Sequence, residues 1–213
     1  LGGNLTITAG TSAVNFAGTV DGAYGLTISG SGSVTFGGVI GGSTGLTSLT
    51  TGTGTTTIDG NITTTNGNVT LGGATTLGAA VTISAGTGAV DFAGTVNGAR
   101  TLNVSNSGGV AFGAAVGATT ALGILTTGTG TTTLDGNISA GTITFNGPVT
   151  LGADVTISNA SNRTFSGPVN GAHNLTINAN SAITVTFDST VGATTPLTSL
   201  TLGPSVSPTL TAT

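Results

Sequence analysis

Cysteine, methionine, tryptophan, lysine and glutamate are all missing from this chain of 213 residues. Without cysteine there are neither disulfides nor thiolate metal sites. Two Arg (Arg100 and Arg163), six Asp and one His supply nearly all the ionisable side chains, and charged residues make up 4% of the chain. An average globular chain carries about 25%, so little material remains for salt bridges, acid–base catalysis or electrostatic steering. Nucleic-acid binding is excluded on the same ground, because it rests on Lys and Arg at phosphates. Long apolar runs are absent too: they stop after two or three residues, far short of the roughly 18–20 of a membrane-spanning helix. The sequence as it stands contains no initiator Met, charged leader or cleavage site. LGGNLTI (1–7) matches LGAAVTI (77–83) and LGADVTI (151–157), so the chain opens in mid-pattern, and it also stops in mid-pattern. It reads as a piece of something longer, or as a processed product.

What is present is Gly and Thr, with Val, Ile, Leu and Phe spaced regularly among them. Disordered segments lack such a supply of core formers, so this chain folds. Helix is disfavoured by the β-branched residues and the frequent Gly, and no 3.6-residue stripe can be drawn. Apolar–polar–apolar tripeptides recur instead: LTI (5–7), VNF (14–16), LTI (26–28), VTF (34–36), VTI (81–83), VDF (90–92) and VTF (185–187) among others. Such period-2 segments are short strands with one face buried. Gly-Ser, Asn-Gly, Asp-Gly and Ala-Gly pairs between them supply the turns.

The chain also repeats itself. LTTGTGTTTIDGNI (49–62) returns as LTTGTGTTTLDGNI (125–138), an offset of about 76 residues. FAGTVDGA (16–23) returns as FAGTVNGA (92–99) and again as FSGPVNGA (165–172). Three superrepeats of roughly 75 residues follow, 1–80, 81–154 and 155–213, within a single domain. Starting a coil at each LTI-like strand divides them into about eleven coils of roughly 16–22 residues, four to a superrepeat. Three short strands and three turns per coil describe an all-β fold, a right-handed parallel β-helix (β-solenoid), its hand following from the crossover rule. Stacking at about 4.8 Å per coil gives a rod of roughly 50 Å, with Phe16, Phe36, Phe92, Phe112, Phe145, Phe165 and Phe187 in a stacked aromatic core column. A transmembrane barrel wants longer strands and aromatic girdles, and a propeller wants longer strands and a shorter period.

Few residues are candidates for chemistry. Thr6, Thr27, Thr47, Thr82, Thr156, Thr176 and Thr198, with Asn103, hold the outward position of the LTI-like strands, and Thr8, Ser29, Ser84, Ser105 and Ser158 follow two residues on. Such a ladder suits an ice- or polysaccharide-binding surface; the plainer reading is that Thr is the uncharged polar residue best fitted to a pleated sheet. Asp59 and Asp135 hold equivalent places in a DGN turn, four coils apart in this scheme, too far for a shared metal or an acid–base pair. Asp21, Asp91, Asp154 and Asp188 are scattered turn or strand positions. The chain is therefore read as no enzyme, with no catalytic, cofactor-binding or metal-binding residues. GTG and GSG segments are not phosphate loops, since no helix follows them. Tyr24, Arg100 and His173 are equivalent in the superrepeat (DGAY, NGAR, NGAH) and are the candidate contact positions for a partner or a neighbouring rod. Asn4, Asn61, Asn68, Asn103, Asn137, Asn159, Asn162 and Asn174 begin N-x-S/T triplets that arise largely from the Asn-strand pattern.

Units such as NLTITAGTSAVNFAGTVDG (4–22) and VTISAGTGAVDFAGTVNGA (81–99) resemble the repeat regions of large bacterial exoproteins. These are the filamentous-haemagglutinin-like adhesins, autotransporter-type passenger domains and related β-strand-repeat proteins. The resemblance implies an extracellular or cell-surface location and a structural shaft of an adhesin or filament. It brings no catalytic residues. The expected partners are the chain itself, end to end or laterally, flanking segments of the same polypeptide, and an extracellular surface or glycan. Solenoid ends normally need caps, and open strand edges otherwise pair with another copy.

Overall fold

The computed structural model describes residues 1–159, 162–178 and 182–210. The described chain is all-β, without helix, and its strands pair in parallel as a β-solenoid of about ten turns. The turns are about one fewer than the sequence grouping suggests. Strands are short because each side of a turn is short: Val34–Phe36 and Val90–Phe92 bury both outer residues and turn the middle one outward, and Val14–Phe16 in the first turn follows the same alternation with its outer residues half-buried. Alone, such a strand could not offset its ordering entropy; stacked, its backbone is paired above and below.

Three faces, A, B and C in chain order, make up each turn. Face A is a column of Leu5, Leu26, Leu49, Val69, Val90, Val110, Thr132, Val149, Val169 and Val191. Face B runs from Val14 through Val34, Thr56, Thr75, Val96, Val116, Ile138, Ile157 and Ile177 to Leu202. Face C runs from Val20 through Ile40, Ile62, Ile83, Val104, Thr127, Phe145, Phe165 and Phe187 to Leu210. One long strand, Ile138–Phe145, turns the corner between faces B and C and belongs to both.

The register differs from the coil grouping in an instructive way. Leu26 is followed on its face by Leu49 and Val69, not by the coil starts Leu46 and Ile62, while Ile83 lies over Ile62. Between Leu5 and Val81 the chain passes eleven sides, so a superrepeat is three and two-thirds turns rather than four. Eleven is not a multiple of three, and each block therefore starts on a different face: Leu5 on A, Val81 on C, Val155 on B. The physical reason is that most sides share one short alternation of inward and outward residues, and any such side fits on any other.

The aromatic column is divided accordingly. Phe16 stacks on Phe36 (centroids 5.4 Å apart) on face B, and Phe92 on Phe112 (5.2 Å) on face A. Phe145, Phe165 and Phe187 stack on face C at 5.3 and 4.9 Å. Three short stacks replace one column.

The most faithful repeat, LTTGTGTTT, forms a corner with a buried hydroxyl pair. Thr56 donates to Thr51 at 3.2 Å between faces A and B, and Thr132 donates to Thr127 at 3.0 Å between faces C and A. All four are buried. Thr51→Val alone strands the Thr56 hydroxyl and is expected to cost about 1–3 kcal/mol; adding Thr56→Val should return stability close to the parent. Denaturant melts of the single and double variants check this. At the same corner one turn below the first of these loops, Gly30 has φ +131° and lies so close to the carbonyl of Gly10 beneath it that no Cβ fits.

Candidate functional site

The superrepeat's Val-Asx-Gly-Ala-x turns are built alike. Asp21 Oδ1 accepts from the backbone N–H of Ser43 (2.8 Å) and Thr44 (3.3 Å) in the next turn. Asn97 Oδ1 accepts from Thr119 (3.0 Å) and Thr120 (3.3 Å), and Asn170 Oδ1 from Thr194 (3.0 Å) and Thr195 (3.2 Å). The following glycines, Gly22, Gly98 and Gly171, hold φ of 130°, 131° and 133°. Their N–H groups donate to the carbonyls of Thr44, Thr120 and Thr195. Each turn is thus stapled to the one stacked on it, and the Asx needs only one oxygen to do so.

Tyr24, Arg100 and His173 follow these staples. Each donates its backbone N–H to the carbonyl of the staple glycine at 2.7 Å, and each lies before a strand. Tyr24 (39% exposed) and Arg100 project into solvent, and the His173 side chain is 38% exposed. The structure does not bring them together. Tyr24 stands at the corner entering face A, Arg100 at that entering face C, and His173 at that entering face B. They wind around the rod instead of lining one edge. His173 Nδ1 lies 3.6 Å from Asp154 Oδ1, and Asp154 also accepts from the backbone (2.9 Å) and side-chain (2.8 Å) nitrogens of Asn174. Those Asn174 bonds, with His173 adding less, hold the Asp154 carboxyl below its ordinary range.

Asp59 and Asp135 occupy different corners, and each lays its carboxylate over a glycine of the next turn, Gly78 and Gly152. Asp91 projects from face A between Thr70 and Ala111. Among the described residues no group of three or more His, Cys, Asp or Glu is placed to hold a metal, and no helix is long and apolar enough to cross a membrane.

The outward Thr residues are likewise redistributed. Thr6 and Thr27 lie on face A, Thr82 and Asn103 on face C, Thr156 and Thr176 on face B, while Thr47 and Thr198 fall outside the strands. The longest Thr ladder comes from strands of other types. Thr126, Thr144, Thr164, Thr186 and Thr209 follow one another on face C, with Thr142, Thr184 and Ser207 two residues earlier on three of those levels.

Two features escaped the sequence reading. One is the reach of Asn between turns: Asn4 caps Gly25, Asn61 caps Thr82, Asn68 caps Ala89 and Asn137 caps Thr156, each through Oδ1 to a backbone N–H at 2.8–2.9 Å. Asn placed before a strand, about one turn ahead of the residue it caps, was the available signal. It also accounts for those N-x-S/T triplets. The other is Arg163, at an inward position of face C between Ile143 and Val185 and 1% exposed. Burial pushes the pKa of its guanidinium below the usual value. It donates through Nη2 to the Asn159 carbonyl.

The Asp21 staple makes one corner pH-sensitive. Backbone N–H donors, Ser43 first and Thr44 second, lower its pKa below the ordinary 3.8. A carboxyl depressed in the folded state stabilises above its unfolded pKa and loses that contribution as pH falls through the folded value. Asp21→Asn, which reproduces the second and third blocks, is expected to melt like the parent at neutral pH. Below about pH 4 it should melt higher, and thermal scans of both chains across the acid range check this.

The architecture defines the class of the protein, a parallel β-helix. Comparison of the chain with known protein families, with curated proteins and with solved structures yields no match.

Proposed function

We propose that this chain is a structural shaft: a β-solenoid segment of an extracellular filament or bacterial cell-surface adhesin. The reading rests chiefly on one observation, the inward columns, mainly apolar with a few buried Thr, that continue on all three faces through about ten turns. Solenoid stability is nearly additive over neighbouring units, so length can grow with block number without a new core. The outward faces support the same reading, being mostly Thr, Ser and Asn, with Asp91 the one acid among the outward residues of the face A ladder. Because each block starts on a new face, no face is reserved for one kind of residue. Further copies or flanking segments of the same polypeptide are the partners this reading expects, joined end to end or laterally through strand edges and flat faces.

Electron microscopy of the purified chain tests the proposal. Stiff rods of uniform width, single or joined end to end, support it, whereas compact or collapsed particles overturn it. Excision of residues 81–154 should leave a folded rod about 18 Å shorter, because eleven sides are lost and Val155 takes the place of Val81 on face C. A collapsed particle or a loss of the cooperative melt would contradict that expectation.

A second reading is favoured by the face C ladder of Thr126, Thr144, Thr164, Thr186 and Thr209. Hydroxyls repeated at about 4.8 Å along the axis could engage an ordered surface such as ice or a polysaccharide. Thermal hysteresis, recrystallisation and polysaccharide pull-down assays decide it; no activity in any of them removes this reading and leaves the shaft.

A further inference from the structure

We infer that the solenoid carries two open sites of spontaneous succinimide chemistry, Asn66-Gly67 and Asn146-Gly147, beside two that its staples close, Asn97-Gly98 and Asn170-Gly171. In an Asn-Gly pair the glycine nitrogen attacks the side-chain Cγ, unhindered by a side chain on the glycine. A ring C–N bond forms, the Cγ–Nδ2 bond breaks, Nδ2 leaves as ammonia and the glycine N–H proton passes to the departing nitrogen or to water. Water then opens the succinimide at either carbonyl, giving aspartate or isoaspartate. Water is the sole co-reactant and ammonia the sole by-product.

The four pairs differ in what holds the two reacting groups. At Asn97 and Asn170 the Oδ1 is held by two N–H groups of the next turn, which draws the amide carbon away from its own backbone. The attacking nitrogens, Gly98 and Gly171, are themselves tied to the carbonyls of Thr120 (3.2 Å) and Thr195 (3.1 Å). Reaction there requires three hydrogen bonds to open together. Among the described residues Asn66 Oδ1 accepts one N–H, from Thr87 at 3.1 Å, and Asn146 is held through Nδ2, which donates to the Thr127 carbonyl at 2.7 Å. The N–H groups of Gly67 and Gly147 donate no backbone hydrogen bond among the described residues. Asn66 and Asn146 are exposed and line one open groove of about 550 Å³ at the corner between faces C and A, where water reaches both.

The products differ in consequence. Aspartate in a staple is tolerated, since Asp21 makes the same two bonds in the first block as Asn97 and Asn170 do in theirs. Isoaspartate at residue 66 lengthens the main chain by one atom between Thr63, paired to Ser84 on face C, and Val69, paired to Val90 on face A. That corner then loses step with the next turn, and the open sites would act as an ageing clock for a long-lived rod.

The two Arg residues make the test direct, because trypsin yields 1–100, 101–163 and 164–213. The whole folded chain is incubated at mildly alkaline pH, then unfolded, digested and weighed. Peptide 101–163, which holds Asn146, should gain the mass of an oxygen-for-NH exchange, while 164–213, which holds Asn170, should gain it about a hundredfold more slowly, the cost of opening three hydrogen bonds. Fragmentation should place the gain in 1–100 at residue 66 rather than 97. In denaturant all four pairs should react at similar rates. Deamidation of the folded chain at Asn97 or Asn170 as fast as at Asn66 or Asn146 would overturn the inference.

Discussion

Phe165→Ala is expected to destabilise the rod by about 3–5 kcal/mol, more than the same change at either superrepeat equivalent. Phe165 is fully buried and is the middle ring of the only three-ring stack among the described residues, with Phe145 at 5.3 Å and Phe187 at 4.9 Å. Truncation removes its own burial and two ring contacts, and the levels above and below are held apart by backbone pairing and cannot collapse into the gap. Phe92 is as deeply buried but meets one ring, Phe112, with Leu71 below. Phe16 is only half-buried in the first turn and meets one ring, Phe36. The losses should therefore run Phe165, Phe92, Phe16, although the sequence motif around all three is the same. Equal losses at the three positions would show that the rings act as separate plugs and not as stacks.

That ordering also marks where the sequence was readable. Period-2 triplets identify the strands and their inward residues, because burial on one side of a pleat leaves a pattern that survives any register. Leu26, Val34 and Phe92 are buried where the pattern puts them. Which side lies on which is another matter. A Val over a Leu contributes nearly what a Leu over a Leu does, so the apolar pattern is silent on vertical neighbours. The lengths of the corners decide instead, and they vary: face A steps 21 residues from Leu5 to Leu26, 23 to Leu49 and 17 from Thr132 to Val149. Such differences accumulate, and four expected coils become three and two-thirds turns. Everything inferred from vertical alignment moved with them: the aromatic column, the Thr ladder, and the faces beside which Tyr24, Arg100 and His173 stand. The repeated LTTGTGTTT was visible but its purpose was not, since Thr is by default a surface residue and nothing local says that Thr51 and Thr56 face inward.

The eleven-side block bears on function as well as on register. A block of twelve sides would return every residue to the face it left, and a motif suited to one surface would then build a continuous strip along the rod. Eleven sides distribute each motif over all three faces within three blocks. A shaft loses nothing by this, because each face needs only a polar, sheet-compatible exterior. A binding strip would be broken up, and the five-level Thr ladder on face C arises from unlike strands meeting in one column. This favours the shaft over the surface-binding reading.

Arg163→Ile is expected to stabilise the chain by about 1–4 kcal/mol. Arg163 holds a position filled by Val or Ile on the neighbouring levels, Ile143 below and Val185 above, and its charge is desolvated there. Replacing a buried charge by an apolar side chain of fitting shape commonly gains stability even when the charge is well bonded, because desolvation costs more than the bonds return. Isoleucine is β-branched, suits the strand Arg163–Phe165 and joins Ile143 and Val185 in one apolar column beside that of Phe165. Among the described residues the substitution gives up the bond to the carbonyl of Asn159, an exposed residue whose carbonyl water can satisfy. Asn159 also holds φ of 77°, a left-handed conformation that costs a non-glycine residue, and the substitution releases the tie that helps to keep it there. Denaturant unfolding of the variant against the parent measures the balance. A lower midpoint would mean that the guanidinium's bonds outweigh its desolvation, and that Arg163 is retained for them.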